Sequence, residues 1–82
     1  MRKILIFCIT LTFSLNAEST YVPNDNFEQK LIDLGHDDVL DNYVLTENVS
    51  ALTDLDVNSS SIADLTGIEA FTALTLLFAY NN

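Results

Sequence analysis

Apolar positions in the second half of the chain fall into two blocks, Leu52-Thr53-x-Leu55-x-Val57 and Leu74-Thr75-x-Leu77-x-Ala79, whose matching residues lie 22 apart. Inside each block the apolar residues alternate, as in a strand with one buried face. Between the blocks Ile62, Leu65, Ile68 and Phe71 recur at every third residue. That spacing suits 3₁₀ or irregular turns that return the chain to the start of another strand. A unit of strand plus return buries its apolar side only against its neighbours, and a fixed period of this size marks a solenoid. One full unit is expected over 52–73 and the start of a second over 74–82, with parallel strands. Leu52, Leu55, Val57, Ile62, Leu65, Ile68, Phe71, Leu74 and Leu77 are then its inward structural positions. The competing pattern is a single amphipathic helix over 62–80, with Leu65, Ile68, Phe71, Ala73, Leu76 and Ala79 on one face. Gly67 and the β-branched Thr66, Thr72 and Thr75 oppose it.

Residues 18–51 carry a different period and read as a cap. Phe27, Leu31 and Leu34 stand at i, i+4 and i+7 with Ile32 beside them, which predicts a helix over about 25–34 with one apolar face. Pro23 fixes the lead-in, and Asn24 or Asp25 can cap the first turn. If Asp25 is the cap, Glu28 falls at the third helical position of a near capping box. Gly35 stands where a residue of positive φ would end the helix. So narrow an apolar face needs something to cover, and the end of a solenoid core is such a surface. In 36–48, Asp37-Asp38 and Asp41 surround Val39-Leu40, and Tyr43-Val44-Leu45 follows. This segment is expected to be a loop with one or two short helical or extended turns packed under the helix.

Residues 1–17 stand outside the fold. Arg2 and Lys3 precede an apolar run broken only by Thr10, Thr12 and Ser14, and Asn16-Ala17 supplies a small residue for cleavage. This is the pattern of a secretory signal peptide, and the run is too short for a membrane span. Cleavage would remove Cys8, the single cysteine, and with it any disulfide or thiolate metal site. The whole chain carries a net charge of −9 from 12 acidic residues against 3 Lys and Arg, and beyond the signal Lys30 is the only strong cation. Nucleic-acid binding and attachment to an anionic membrane surface are disfavoured, because both require clustered basic residues.

The span 52–82 resembles the leucine-rich repeat family in its 22-residue, internalin-like bacterial form. The motif Leu-x-x-Leu-x-Leu-x-x-Asn is present as Leu74-Thr75-Leu76-Leu77-Phe78-Ala79-Tyr80-Asn81-Asn82, with Asn82 at the asparagine position. The resemblance implies that this side chain bonds backbone groups inside the turn after the strand, forming a ladder between units. Ser60 holds the equivalent place in the first unit, where a hydroxyl supplies only part of that bonding. Ala79 replaces a larger aliphatic residue at an inner site. The stretch Tyr21-Val22-Pro23-Asn24-Asp25-Asn26-Phe27-Glu28-Gln29-Lys30-Leu31-Ile32-Asp33-Leu34-Gly35 is also similar to the N-terminal cap of secreted repeat proteins from Bacteroidetes-type bacteria. The fold class expected is therefore an α/β solenoid, a capping helix followed by leucine-rich repeats with short parallel strands, truncated partway through the second unit.

No catalytic constellation is present. His36 is the single histidine, and beside Asp37 it reads better as a loop residue after a helix end than as a base with its orienting carboxylate. Ser59-Ser60-Ser61 has no general base near it and reads as turn material. Asp37, Asp38 and Asp41 offer oxygen ligands, but their spacing is not that of a calcium loop and no glycine follows, so a solvated acidic loop is the better reading. No cofactor and no metal are expected. The residues expected to face out of the concave sheet are Asp54, Asp56 and Asn58 in the first strand and Leu76, Phe78 and Tyr80 in the second. Asp54, Asp56, Leu76, Phe78 and Tyr80 are the candidate ligand-binding residues, since aromatic anchors are frequent at interface hot spots. The resemblance implies a secreted or cell-surface, non-enzymatic binding or adhesion module for an extracellular protein or glycan. The alternatives are an accessory module of a larger secreted enzyme, or a truncated product without independent function. So few turns enclose little apolar surface to set against chain entropy, so residues 18–82 alone are expected to be marginally stable at best.

Overall fold

The computed structural model describes residues 18–82. The signal segment expected over 1–17, Cys8 included, lies outside the described residues. The order of elements is β1 (Ser19–Tyr21), α1 (Asp25–Asp33), β2 (Tyr43–Leu45), α2 (Thr46–Val49), β3 (Asp54–Asp56), a 3₁₀ turn (Ile68–Ala70) and β4 (Leu76–Phe78). They form two small sheets, β1 with β2 antiparallel and β3 with β4 parallel. Strands this short make an open arrangement, not a closed solenoid. Among the described residues no helix is long and apolar enough to cross a membrane.

In the cap, β1 and β2 pair with Ser19 opposite Leu45, Thr20 opposite Val44 and Tyr21 opposite Tyr43. The sequence reading has no strand at 19–21, because a three-residue segment of Ser, Thr and Tyr shows no alternation by itself. Pairing with β2 creates it, and the contact continues through the Val22 amide to the Asn42 carbonyl at 2.8 Å and the Thr46 amide to the Glu18 carbonyl at 2.9 Å. Within 36–48, expected to be a loop with one or two short helical or extended turns, the structure has a loop followed by β2 and the first residues of α2.

Helix α1 is capped by Asn24, whose Oδ1 accepts the Phe27 amide at 2.9 Å. Phe27, not Glu28, therefore occupies the third helical position, and the near capping box does not form. With the cap one residue earlier, Glu28 turns inward instead of back toward the helix start. The other end follows expectation. Gly35 has φ +89°, its amide donates to the Ile32 carbonyl, and the His36 amide donates to Leu31, both at 2.9 Å. This paired return satisfies carbonyls that the helix leaves open. Leu34, expected on the apolar face, is 41 % exposed because it is the C-cap residue, where the chain leaves the helix.

Val22, Phe27, Leu31, Val44, Val49, Leu55, Val57, Ile62 and Phe71 form one core shared by cap and repeat. Phe27 of α1 stacks on Phe71 of the return, with centroids 6.1 Å apart and planes at 23°. The cap helix thus covers the end of the repeat. Leu52, Leu65, Ile68, Leu74 and Ala79 pack against this core from half-buried positions.

The return between β3 and β4 is irregular, with one 3₁₀ turn, and the continuous helix over 62–80 does not form. Gly67 explains much of this. It has φ +108°, and a Cβ there would lie 2.8 Å from the Tyr21 carbonyl oxygen and 2.9 Å from Val22 Cγ2. The repeat's return thus passes directly against β1 of the cap. Gly35 also has positive φ, but a Cβ there would meet open space. Left-handed backbone costs a non-glycine residue about 1–2 kcal/mol, and overpacking adds about 1–3 kcal/mol. In denaturant titrations Gly67→Ala is therefore expected to destabilise the chain by about 2–5 kcal/mol and Gly35→Ala by about 1–2 kcal/mol. Equal losses at the two glycines would contradict this packing of return against cap.

Candidate binding face

Alternation along β3 turns Leu55 inward and leaves Asp54 and Asp56 exposed. The parallel pairing sets Asp54 beside Leu76, Leu55 beside Leu77 and Asp56 beside Phe78. Each pair is separated by the 22 residues of the sequence period. The Thr75 amide donates to the Thr53 carbonyl and the Val57 amide to the Phe78 carbonyl, both at 2.8 Å, and the Ser59 amide reaches the Tyr80 carbonyl at 3.1 Å.

Leu76, Phe78 and Tyr80 are 50 %, 41 % and 63 % exposed. A row of carboxylates on one strand thus lies beside a row of apolar and aromatic side chains on the next. Asn58, expected to face out with them, is half-buried, and its Oδ1 accepts the Tyr80 amide at 2.8 Å. That bond fixes the backbone that carries Tyr80. Asp56 Oδ1 accepts the Asn58 amide at 3.1 Å and Asp54 Oδ1 accepts the Thr53 hydroxyl at 3.2 Å, so both acidic side chains are braced locally.

Leu77 departs from its expected inward setting. It is 40 % exposed, whereas its partner Leu55 is 2 % exposed. Leu55 is covered by the cap and by β4, while no described strand lies beyond β4 to cover Leu77.

Asn82 does what its position in the motif implies. Its Oδ1 accepts the amides of Ser60 at 2.8 Å and Ile62 at 3.1 Å, and its Nδ2 donates to the carbonyls of Val57 and Ala79, both at 2.9 Å. One amide side chain thus locks its own strand end to the turn of the preceding unit. At the equivalent place the Ser60 hydroxyl makes a single bond, donating to the Asn58 carbonyl at 3.0 Å. Side-chain bonds Thr72 to Ser50, Thr75 to Thr53, Tyr80 to Asn58 and Ser60 to Asn82 all span 22 residues, so the period is written in hydrogen bonds as well as apolar side chains.

The cap holds a second group of polar residues. Glu28 is fully buried, and carboxylate oxygens of Glu28, Asp37 and Asp41 lie within 4.8 Å of one another. Of the acidic trio singled out in the sequence, Asp38 stays outside this group, and the buried Glu28, a capping-box residue only had Asp25 been the cap, takes its place. Burial, and next the contact with Asp37, raise the Glu28 carboxyl to about 7. A shallow cleft of about 420 Å³ runs alongside, lined in part by His36, Asp37, Asp41 and Tyr43. His36 is half-buried, and its carbonyl accepts the Asn48 side-chain amide at 3.1 Å. The serine run forms a turn in which Ser59 and Ser61 have φ of +54° and +56°. Sequence reasoning also missed an exposed aromatic pair, Tyr21 and Tyr43, whose rings lie 5.5 Å apart across β1 and β2. Only the strand pairing brings them together.

The chain is 41 % identical over 79 residues to Internalin J of Listeria monocytogenes serotype 4b (strain F2365), in an alignment covering 89 % of this chain and 8 % of that protein. The likeness supports a leucine-rich repeat relationship. The chain spans only 8 % of the length of this relative. No family model matches the chain, and no solved structure does.

The asparagine bridge is the most exacting test of the repeat assignment. Each hydrogen bond contributes about 0.5–1.5 kcal/mol net, with less at an exposed site. Asn82→Ala should therefore lower stability by about 1–2 kcal/mol and speed amide exchange at Ser60 and Ile62. Unchanged exchange at both amides would show that the turn does not depend on the bridge.

Proposed function

We propose that this chain forms part of an extracellular, non-enzymatic recognition module that binds a protein or glycan across the exposed face of β3 and β4. The observation that carries this reading is the 22-residue register, which sets Asp54 and Asp56 beside Leu76 and Phe78 on one exposed surface. Tyr80, the most exposed large apolar residue among the described residues, extends the apolar row. A backbone held by strand pairing, Asn58 and Asn82 presents these side chains at low entropic cost, so that less of the contact energy goes into ordering them. The apolar row would supply the anchors, and the carboxylates would orient a partner and set its charge preference. The likeness to Internalin J supports the repeat-module part of this reading. The export pattern in residues 1–17 supports the extracellular part.

Panels of extracellular proteins and of glycans, screened against the full-length protein, would identify the partner. Phe78→Ala with Tyr80→Ala should then weaken capture by about tenfold or more while leaving the melting transition unchanged, as hot-spot truncations do. Asp54→Asn with Asp56→Asn should flatten the salt dependence of association. Unchanged affinity in the aromatic double variant would remove this surface from the binding reaction.

A further inference from the structure

Glu28 is a charged residue type in the least hospitable place in the cap. Its Oε1 accepts the Asn42 amide at 2.7 Å and its Oε2 the Asp41 amide at a longer 3.2 Å, so this one side chain tethers the 34–42 loop to α1. Beside it, Asp37 Oδ1 accepts the Asp38 amide at 2.9 Å, while Asp37 Oδ2 is buried and meets no donor. Asp41 Oδ1 is engaged by the Tyr43 amide at 3.0 Å. The titratable groups facing the Glu28 carboxyl are thus Asp37 and Asp41 from the loop, with Tyr43 of β2 and His36 lining the cleft alongside. On α1 itself, Asp25 one turn earlier is exposed, Asp33 is held by Gln29, and Lys30 stands at a spacing that does not face Glu28. Three carboxylates so close, with one oxygen buried and unbonded, leave a donor missing.

We propose that Glu28 holds a proton that it donates to Asp37, and that this hydrogen bond closes a pH-sensitive clasp between α1 and the 34–42 loop. A proton on Oε2 forfeits only the longer of the two amide bonds. It gives Asp37 Oδ2 the donor it lacks and leaves Oε1 on the Asn42 amide. The proton also removes one of three neighbouring charges, the one on the buried Glu28.

The carboxyl's elevated titration agrees with this geometry. Its folded value of about 7 lies above the ordinary 4.5, so the folded chain holds a proton that the unfolded chain releases. The stabilisation is therefore complete below about 4.5 and is lost as pH rises through about 7. Above that range the charged trio repels, and the loop should part from α1, opening the cleft along His36 and Tyr43.

Carboxyl-detected NMR of the intact chain tests this directly, read together with amide exchange at Asn42 corrected for intrinsic pH dependence. The Glu28 carboxyl should titrate near 7. Protection of the Asn42 amide, whose bond to Oε1 survives protonation, should fall by about ten- to a hundredfold between pH 5.5 and 8.5, as loss of the proton weakens the clasp. Glu28→Gln, which offers Asp37 a permanent N–H, should abolish that fall. Asp37→Asn, which offers Glu28 one instead, should return the Glu28 titration toward the ordinary carboxylate range. Titration of Glu28 near 4.5 in the unmodified chain would overturn the clasp, and needs no variant to fold. Protection restored at pH 8.5 by millimolar calcium would overturn it as well, by assigning the cluster to a metal cation in place of a proton.

Discussion

The stacking of Phe27 on Phe71 is the contact on which the two halves of this molecule depend. Strands of three residues cannot sustain a sheet, and two-stranded ribbons are marginal in water. Each of the two sheets therefore needs a cover. The cap brings Phe27 and Leu31 to the line of Leu55, Val57, Ile62 and Phe71, and the repeat returns Gly67 against β1. Complete burial of a large apolar side chain contributes about 1.5–3 kcal/mol, so a few such residues decide whether cap and repeat fold as one unit.

The repeat was the more legible half of the sequence. Leu52, Leu55 and Val57 repeat as Leu74, Leu77 and Ala79, and that spacing alone predicts parallel strands in the register seen. Asn82 could be placed by its motif, and its bonds to Ser60, Ile62, Val57 and Ala79 follow. Periodic positions are readable because each restates the same local requirement. The cap offered no repetition. Gly35 announced the helix end through its conformational freedom, yet β1 was invisible because a short polar strand acquires its pattern only from its partner. The role of Glu28 stayed open for a related reason, since Asn24 and Asp25 were both candidate caps. A one-residue shift of the cap, from Asp25 to Asn24, exchanges a solvent-side role for a buried one. The outer residues Asp54, Asp56, Leu76, Phe78 and Tyr80 were placed on one face by register, but sequence cannot show what meets them.

The same geometry connects stability with display. Inward positions in β3 fix the register, and the register decides which outward side chains become neighbours. The acidic row and the aromatic row meet only because 22 residues separate their strands; a slip of one residue would reverse every side chain. Asn58 and Asn82 spend their amides on holding strand ends, which leaves the outward positions free to vary in chemistry without disturbing the fold. In the cap, by contrast, buried carboxyl chemistry and loop position are coupled.

Scalar couplings across hydrogen bonds, measured by NMR on the intact chain, test the shared register most directly. Magnetisation should pass from the Val57 amide nitrogen to the Phe78 carbonyl carbon, and from Ser59 to Tyr80. Couplings between residues four apart along 62–80, or a Val57 amide bonded to any other carbonyl, would contradict it.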